Sequence, residues 1–262
     1  MRALASRARR GLSAVLALTS AILGGSLARP AHAGDGVTPA ARARTRSSRV
    51  VQLNGSGALP VFGAPPPRAD QAEATFVYLH GVCGLTENGC GHFEGAPGWL
   101  VCPQANQRCQ NGGSSWSGTV AEKVATVNAA LDAAHAAWPE SGRAPVILVG
   151  FSQGAYVAMD LARAEPGRYA GLLLLGADTA HAGEALRAAR VHRLALACGA
   201  YDMMFPKMRA TPAALAGSGV ETTFASLGEV GHTYVASDGT DAVLTSLLSW
   251  VAVANADGVA VD

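Results

Sequence analysis

The sequence predicts a doubly wound α/β fold: a mostly parallel sheet with helices on both faces, in a single domain. Three observations predict it. Short, mostly apolar runs recur at residues 75–79, 99–101, 146–149, 172–175 and 194–198, as strands buried on both faces require. Helical patterns lie between these runs, and strand alternating with helix means a parallel sheet. With 49% hydrophobic and 15% charged residues, the 262-residue chain has enough apolar surface to bury such a core.

Taken in order, the chain opens on Arg7, Arg9 and Arg10, then an apolar run over residues 12–27, then Ala31-His32-Ala33. A basic start, an apolar stretch and small residues around a cleavage point describe a secretory signal peptide over residues 1–33. The alternative is a membrane anchor. The run is shorter than the ~20 residues a spanning helix needs, and Gly24, Gly25 and Ser26 interrupt it. The expected mature protein is exported, secreted or periplasmic, without a membrane span.

Residues 34–47 lack periodicity and read as a disordered linker. The domain is expected over residues 48–255, with a tail at 256–262. Strands at 50–53 and 58–62 flank the turn Asn54-Gly55-Ser56-Gly57, and Pro65-Pro66-Pro67 breaks the chain. The clearest helix spans residues 120–138. Val120, Val124, Val127, Leu131, Ala134 and Trp138 form one face, Thr119 and Glu122 have capping-box spacing, and Pro139 stops it. A second helix follows Ser152. A strand is expected at 221–226, and the last helix carries Leu244, Leu247, Leu248 and Val251 on one side.

Formal net charge is +1, but the basic residues crowd the start. From Asp70 onward there are 10 basic and 18 acidic residues. A nucleic-acid binder needs a basic face on its folded part, so DNA and RNA are not expected partners.

Four of the five cysteines, Cys83, Cys90, Cys102 and Cys109, fall within 27 residues. In an oxidising compartment this means two disulfides and a leftover Cys198. Three pairings are open. Short loops favour Cys83–Cys90 and Cys102–Cys109. The competing reading is a zinc site with His92, but six residues separate the members of each close pair, where structural zinc ligands sit two to four apart.

The segment with most chemical content is Gly150-Phe151-Ser152-Gln153-Gly154, a G-x-S-x-G between a buried strand and a helix. This is the context of a nucleophile elbow, where a serine is raised on a sharp turn above the sheet. A serine hydroxyl needs a histidine base, and the histidine needs a carboxylate to fix its tautomer. Chain order then points to an acid, followed by a histidine, after later strands. Asp202, in Gly199-Ala200-Tyr201-Asp202, is favoured as the acid, with Asp178 as its rival. His232 is the only histidine after Asp202. Backbone N–H donors must meet the charge that develops on the substrate oxygen. Gln153, just after the serine, supplies one, and Val82, in the loop His80-Gly81-Val82, supplies the second. A bridge at Cys83 would stiffen that loop.

These residues resemble the α/β-hydrolase superfamily, and most of all its phospholipase/carboxylesterase family. The likeness rests on Tyr78-Leu79-His80-Gly81, Cys102-Pro103-Gln104-Ala105 with Asn111–Trp116, the Gly150–Gly154 elbow, and Gly199–Asp202 with Gly231-His232. It implies Ser152 as nucleophile, His232 as base, Asp202 as acid, and the N–H groups of Val82 and Gln153 as oxyanion donors. It also implies hydrolysis of small-molecule or lipid carboxylic esters through an acyl-enzyme, with no metal or organic cofactor. The cysteine-rich loop, Ala155, and the bulky Met203-Met204-Phe205-Pro206 depart from the family pattern and leave room for secreted esterases of other substrates. Trp116, Met203, Met204 and Phe205 are candidates to line an acyl pocket, or are ordinary core residues. A serine peptidase of the same fold and a non-catalytic binding protein on this scaffold are the alternatives.

Overall fold

Apolar runs fold into strands here because both of their faces find helices to cover them. The computed structural model describes residues 49–54, 59–68, 70, 72–178, 183–235 and 240–252. The expected leader, linker and tail lie outside them, as does the tip of the first turn at 55–58.

In chain order the elements are β1 (Val51–Leu53), β2 (Val61–Ala64), β3 (Ala74–Leu79), α1 (Thr86–Gly91), β4 (Gly98–Pro103), β5 (Gln107–Arg108), β6 (Ser114–Ser115) and α2 (Val120–Ala137). There follow β7 (Val146–Phe151), α3 (Gln153–Ala164), β8 (Tyr169–Leu175), α4 (Gly183–Ala188), β9 (Arg193–Cys198), α5 (Phe205–Ala214), β10 (Glu221–Ser226) and α6 (Thr240–Ala252). Among the described residues the main sheet has eight strands in the order β1-β2-β4-β3-β7-β8-β9-β10. From β4 to β10 all pairings are parallel, and β1 and β2 add an antiparallel edge. β5 and β6 form a separate small hairpin.

Alternate residues of each central strand serve opposite faces. Leu79, Leu148, Leu172, Leu174 and Leu196 pack with Val127 of α2, Leu161 of α3, Leu186 of α4 and Met208 of α5. Tyr78, Ile147, Val149, Leu173 and Leu175 pack with Cys90 of α1 and Leu244, Leu248 and Val251 of α6. Each such buried side chain contributes about 1.5–3 kcal/mol, which is why the continuous apolar runs hold the centre of the sheet. The Thr119–Glu122 capping box forms at the start of α2. No helix among the described residues is long and apolar enough to cross a membrane.

Three features differ from expectation. β2 lies further along the chain than 58–62, at Val61–Ala64. Pro60 has no N–H to offer a ladder, and Gly63 lets the strand approach β4, where a Cβ would meet the Leu100 carbonyl oxygen at 2.5 Å. α1, α4, α5 and the β5–β6 hairpin are additional to the expected elements. The disulfides are Cys83–Cys109 and Cys90–Cys102, in place of the short-loop pairs Cys83–Cys90 and Cys102–Cys109. Tertiary packing overrides loop closure here. Gly84 bridges to Ser114, which folds the β5–β6 hairpin back onto Cys83, while Cys90 of α1 packs in the same buried cluster as Cys102 of β4. The four thiols that a zinc site would need are consumed in these bridges.

Candidate active site

Ser152 occupies the single position between β7 and α3, with φ 52° and ψ −116°. Side chains rarely adopt positive φ, and close contacts on both sides hold this one. Its N–H donates to the Leu175 carbonyl of β8 at 2.9 Å. A Cβ at Gly150 would lie 2.5 Å from the Ala155 Cα, and one at Gly154 would lie 1.9 Å from the Leu79 carbonyl oxygen. Both glycines are needed for α3 to start so close to the end of β3. As at any helix start, the first N–H groups, beginning with Gln153, have no partner within the helix.

The loops after β9 and β10 meet beside this turn. Tyr201 N–H donates to the Val230 carbonyl at 2.9 Å and Ala200 N–H to the Gly228 carbonyl at 2.8 Å, so the Asp202 and His232 loops are bonded backbone to backbone. The His232 ring packs against Phe151, centroids 5.1 Å apart. Its Nδ1–H donates to Asp202 Oδ2 at 2.7 Å, and its Nε2 accepts from the Ser152 hydroxyl at 3.0 Å. The Asp202 side chain is 1% exposed, and Oδ1 accepts from the Met204 N–H at 2.9 Å. Gly176, at φ +60°, leaves room for the pair: a Cβ there would meet His232 Cε1 at 2.9 Å and Asp202 Oδ2 at 3.2 Å.

Beyond β3, Gly81 brings the loop against the elbow, where a Cβ would lie 3.3 Å from that of Ser152. Gly84 N–H closes a turn onto the Gly81 carbonyl at 3.1 Å. Val82 and Cys83 occupy the middle of that turn, Cys83 at φ 52°.

No protein-family model matches the chain, and no curated protein sequence does. Solved structures do. Esterase PE8 is 23% identical, with 77% of this chain and 100% of that one covered at a TM-score of 0.51. A carboxylesterase from Bacillus cereus is 14% identical over 76% of this chain and 96% of that one, at 0.51. A lipase in its open form is 12% identical over 78% and 99%, at 0.55. The chain has the α/β-hydrolase fold.

Within the α/β-hydrolase fold, the residues singled out from sequence fall into two groups. Ser152, His232 and Asp202 meet, and Val82 and Gln153 flank them. Asp178 lies apart: its Oδ2 accepts from Lys207 Nζ at 2.7 Å, and its N–H donates to the Tyr156 hydroxyl. Trp116 is buried, and its indole N–H donates to the His80 carbonyl at 3.0 Å. Met204 and Phe205 pack against the core, and Met203 is 80% exposed.

Sequence reasoning missed His80 and Tyr234 as site supports. Buried His80 donates from Nδ1 to the Gly81 carbonyl at 2.8 Å. Its Nε2 accepts from Ala105 N–H and the Ser114 hydroxyl, each at 3.2 Å. Burial lowers its pKa, against a smaller opposing effect of the bond to Gly81. The Tyr234 and Tyr78 hydroxyls share a buried hydrogen bond of 2.6 Å, which ties the His232 loop to β3. Burial raises the pKa of both phenols. The only signal for either residue was its nearness in sequence to Gly81 or His232.

Proposed function

We propose that the chain is a serine hydrolase that cleaves carboxylic esters through an acyl-enzyme. The observation that carries this reading is the continuous relay from Ser152 Oγ to His232 Nε2 at 3.0 Å and from His232 Nδ1 to the buried Asp202 at 2.7 Å. The names of the structural neighbours, an esterase, a carboxylesterase and a lipase, support it.

Ser152 Oγ attacks the ester carbonyl as its proton passes to His232 Nε2. Asp202 holds the imidazole in the Nδ1–H tautomer and stabilises the imidazolium that forms. The N–H groups of Val82 and Gln153 receive the negative charge on the former carbonyl oxygen. The tetrahedral intermediate collapses, His232 gives its proton to the leaving alkoxide, and the alcohol departs. Water then attacks the acyl-enzyme with His232 again as base, releasing the acid and restoring Ser152. The two disulfides, with the leader-like start of the sequence, support action in an oxidising compartment after export.

In Ser152→Ala, turnover of p-nitrophenyl acetate falls by at least about 10⁴-fold and labelling by a fluorophosphonate probe disappears, with the melting temperature nearly unchanged. Undiminished turnover ends the assignment. A panel of p-nitrophenyl esters from acetate to palmitate, beside peptide substrates, defines the substrate class.

A further inference from the structure

The two N–H groups required by the proposed mechanism come from different elements, Val82 from the loop after β3 and Gln153 from the start of α3, and both must stand about 2.7–3.1 Å from one developing oxyanion. Loops are the mobile parts of a fold. Residues 114–116 bond to both. On the Val82 side, Ser114 N–H donates to the Gly84 carbonyl at 3.1 Å, the Ser114 hydroxyl donates to His80 Nε2, and the Trp116 indole donates to the His80 carbonyl. Ser115 Oγ accepts from Cys83 N–H at 2.9 Å. On the other side, Trp116 N–H donates to Gln153 Oε1 at 3.0 Å, and Gln153 Nε2–H donates to the Trp116 carbonyl at 2.9 Å. Ser114, Ser115 and Trp116 are all buried.

We propose that residues 114–116 are a brace that sets the spacing of the two oxyanion donors. Ser115 is the positioning residue at the Val82 end and the Gln153 carboxamide at the other. The inference rests on the ester-hydrolase reading above. Cys83 shows why a brace is needed. Its φ of 52° is unfavourable for a residue with a Cβ, and Val82 precedes it directly. Ser115 holds the Cys83 N–H, Asn111 Nδ2 donates to the Cys83 carbonyl at 3.1 Å, and the bridge to Cys109 fixes the side chain. Gly113 lets the same segment lie flush, since a Cβ there would be 2.3 Å from the Cys83 carbonyl oxygen. Removing Ser115 Oγ leaves a partly buried N–H unpaired at the residue next to a donor whose position decides the rate.

The test compares folded Ser115→Ala and Gln153→Met with the parent. In both, kcat for p-nitrophenyl acetate falls about tenfold or more while KM stays within about twofold. The inhibition constant of phenylboronic acid, whose boron takes Ser152 Oγ to form a tetrahedral adduct, rises by the same factor. A variant that melts earlier but keeps parental kcat and boronate affinity overturns the brace. Should Ser115→Ala not fold, Gln153→Met decides by the same two readings. Turnover that survives Ser152→Ala is a separate failure, and removes the hydrolase reading on which the brace depends.

Discussion

Asp202 and Asp178 follow adjacent strands at the same edge of the sheet, yet their neighbours give them different chemistry. Asp202 is buried, with one oxygen held by Met204 N–H and the other by His232. Asp178 pairs with Lys207 at the surface, and raises the pKa of that amine by hydrogen bond and charge. Asparagine in place of Asp202 keeps the shape and the bond to Met204 but supports the wrong histidine tautomer. Asp202→Asn is therefore expected to lower kcat by about 10⁴-fold. Asp178→Asn, a surface change, leaves kcat within about twofold. Steady-state turnover of p-nitrophenyl acetate by the two variants checks both, and an inverted result would transfer the role of acid to Asp178.

The elbow joins β3, β7 and α3, and its tolerance is set at Gly154. In an exposed helix interior, glycine to alanine gains up to about 1 kcal/mol. Here the added methyl meets the carbonyl of Leu79, which belongs to a central strand and cannot yield. Gly154→Ala is expected to lose on the order of 3 kcal/mol or more, read from the midpoint of urea unfolding. The elements that position this site were legible where burial is two-sided. β3, β7, β8 and β9 carry unbroken apolar runs because helices cover both faces, and α2 carries its stripe between a capping box and Pro139. α5 was not legible: Pro212 lies inside it, and proline in a helix interior argues against helix in a local reading. α1 has six residues, two of them glycine, and is held by Cys90 rather than by periodicity. The order Ser152, Asp202, His232 was readable because strand ends bring such residues to one edge. The brace was not, since its bonds join residues thirty or more positions apart, most of them through backbone atoms that no residue type announces. The disulfide pairing was hidden because it is set by the packing of α1 on β4 and of the β5–β6 hairpin on Cys83, and loop length does not report either.

Across the whole molecule, proton uptake couples stability to the loop after β3 through His80. Its native pKa lies below the ordinary value of 6.5 because it is buried, and none of its partners (Gly81, Ala105, Ser114 and the Trp116 ring) carries a charge. The unfolded chain therefore takes up a proton near pH 6.5 that the native state refuses. The sign follows from linkage: this contribution is fully present above pH 6.5 and is lost as pH falls toward the native pKa. Melting temperature is expected to drop between pH 7 and 5, and to drop less steeply in His80→Gln. Differential scanning calorimetry over that range checks the comparison, and parallel slopes would contradict it.

The fifth cysteine bears on how long the covalent framework lasts. Exchange between sulfurs starts from a thiolate. Cys198 is the chain's one free thiol and is buried, and burial together with the Asp202 carboxylate pushes its pKa up to about 12. At neutral pH it has almost no anionic form, so its attack on either bridge has to wait for the central strands to part.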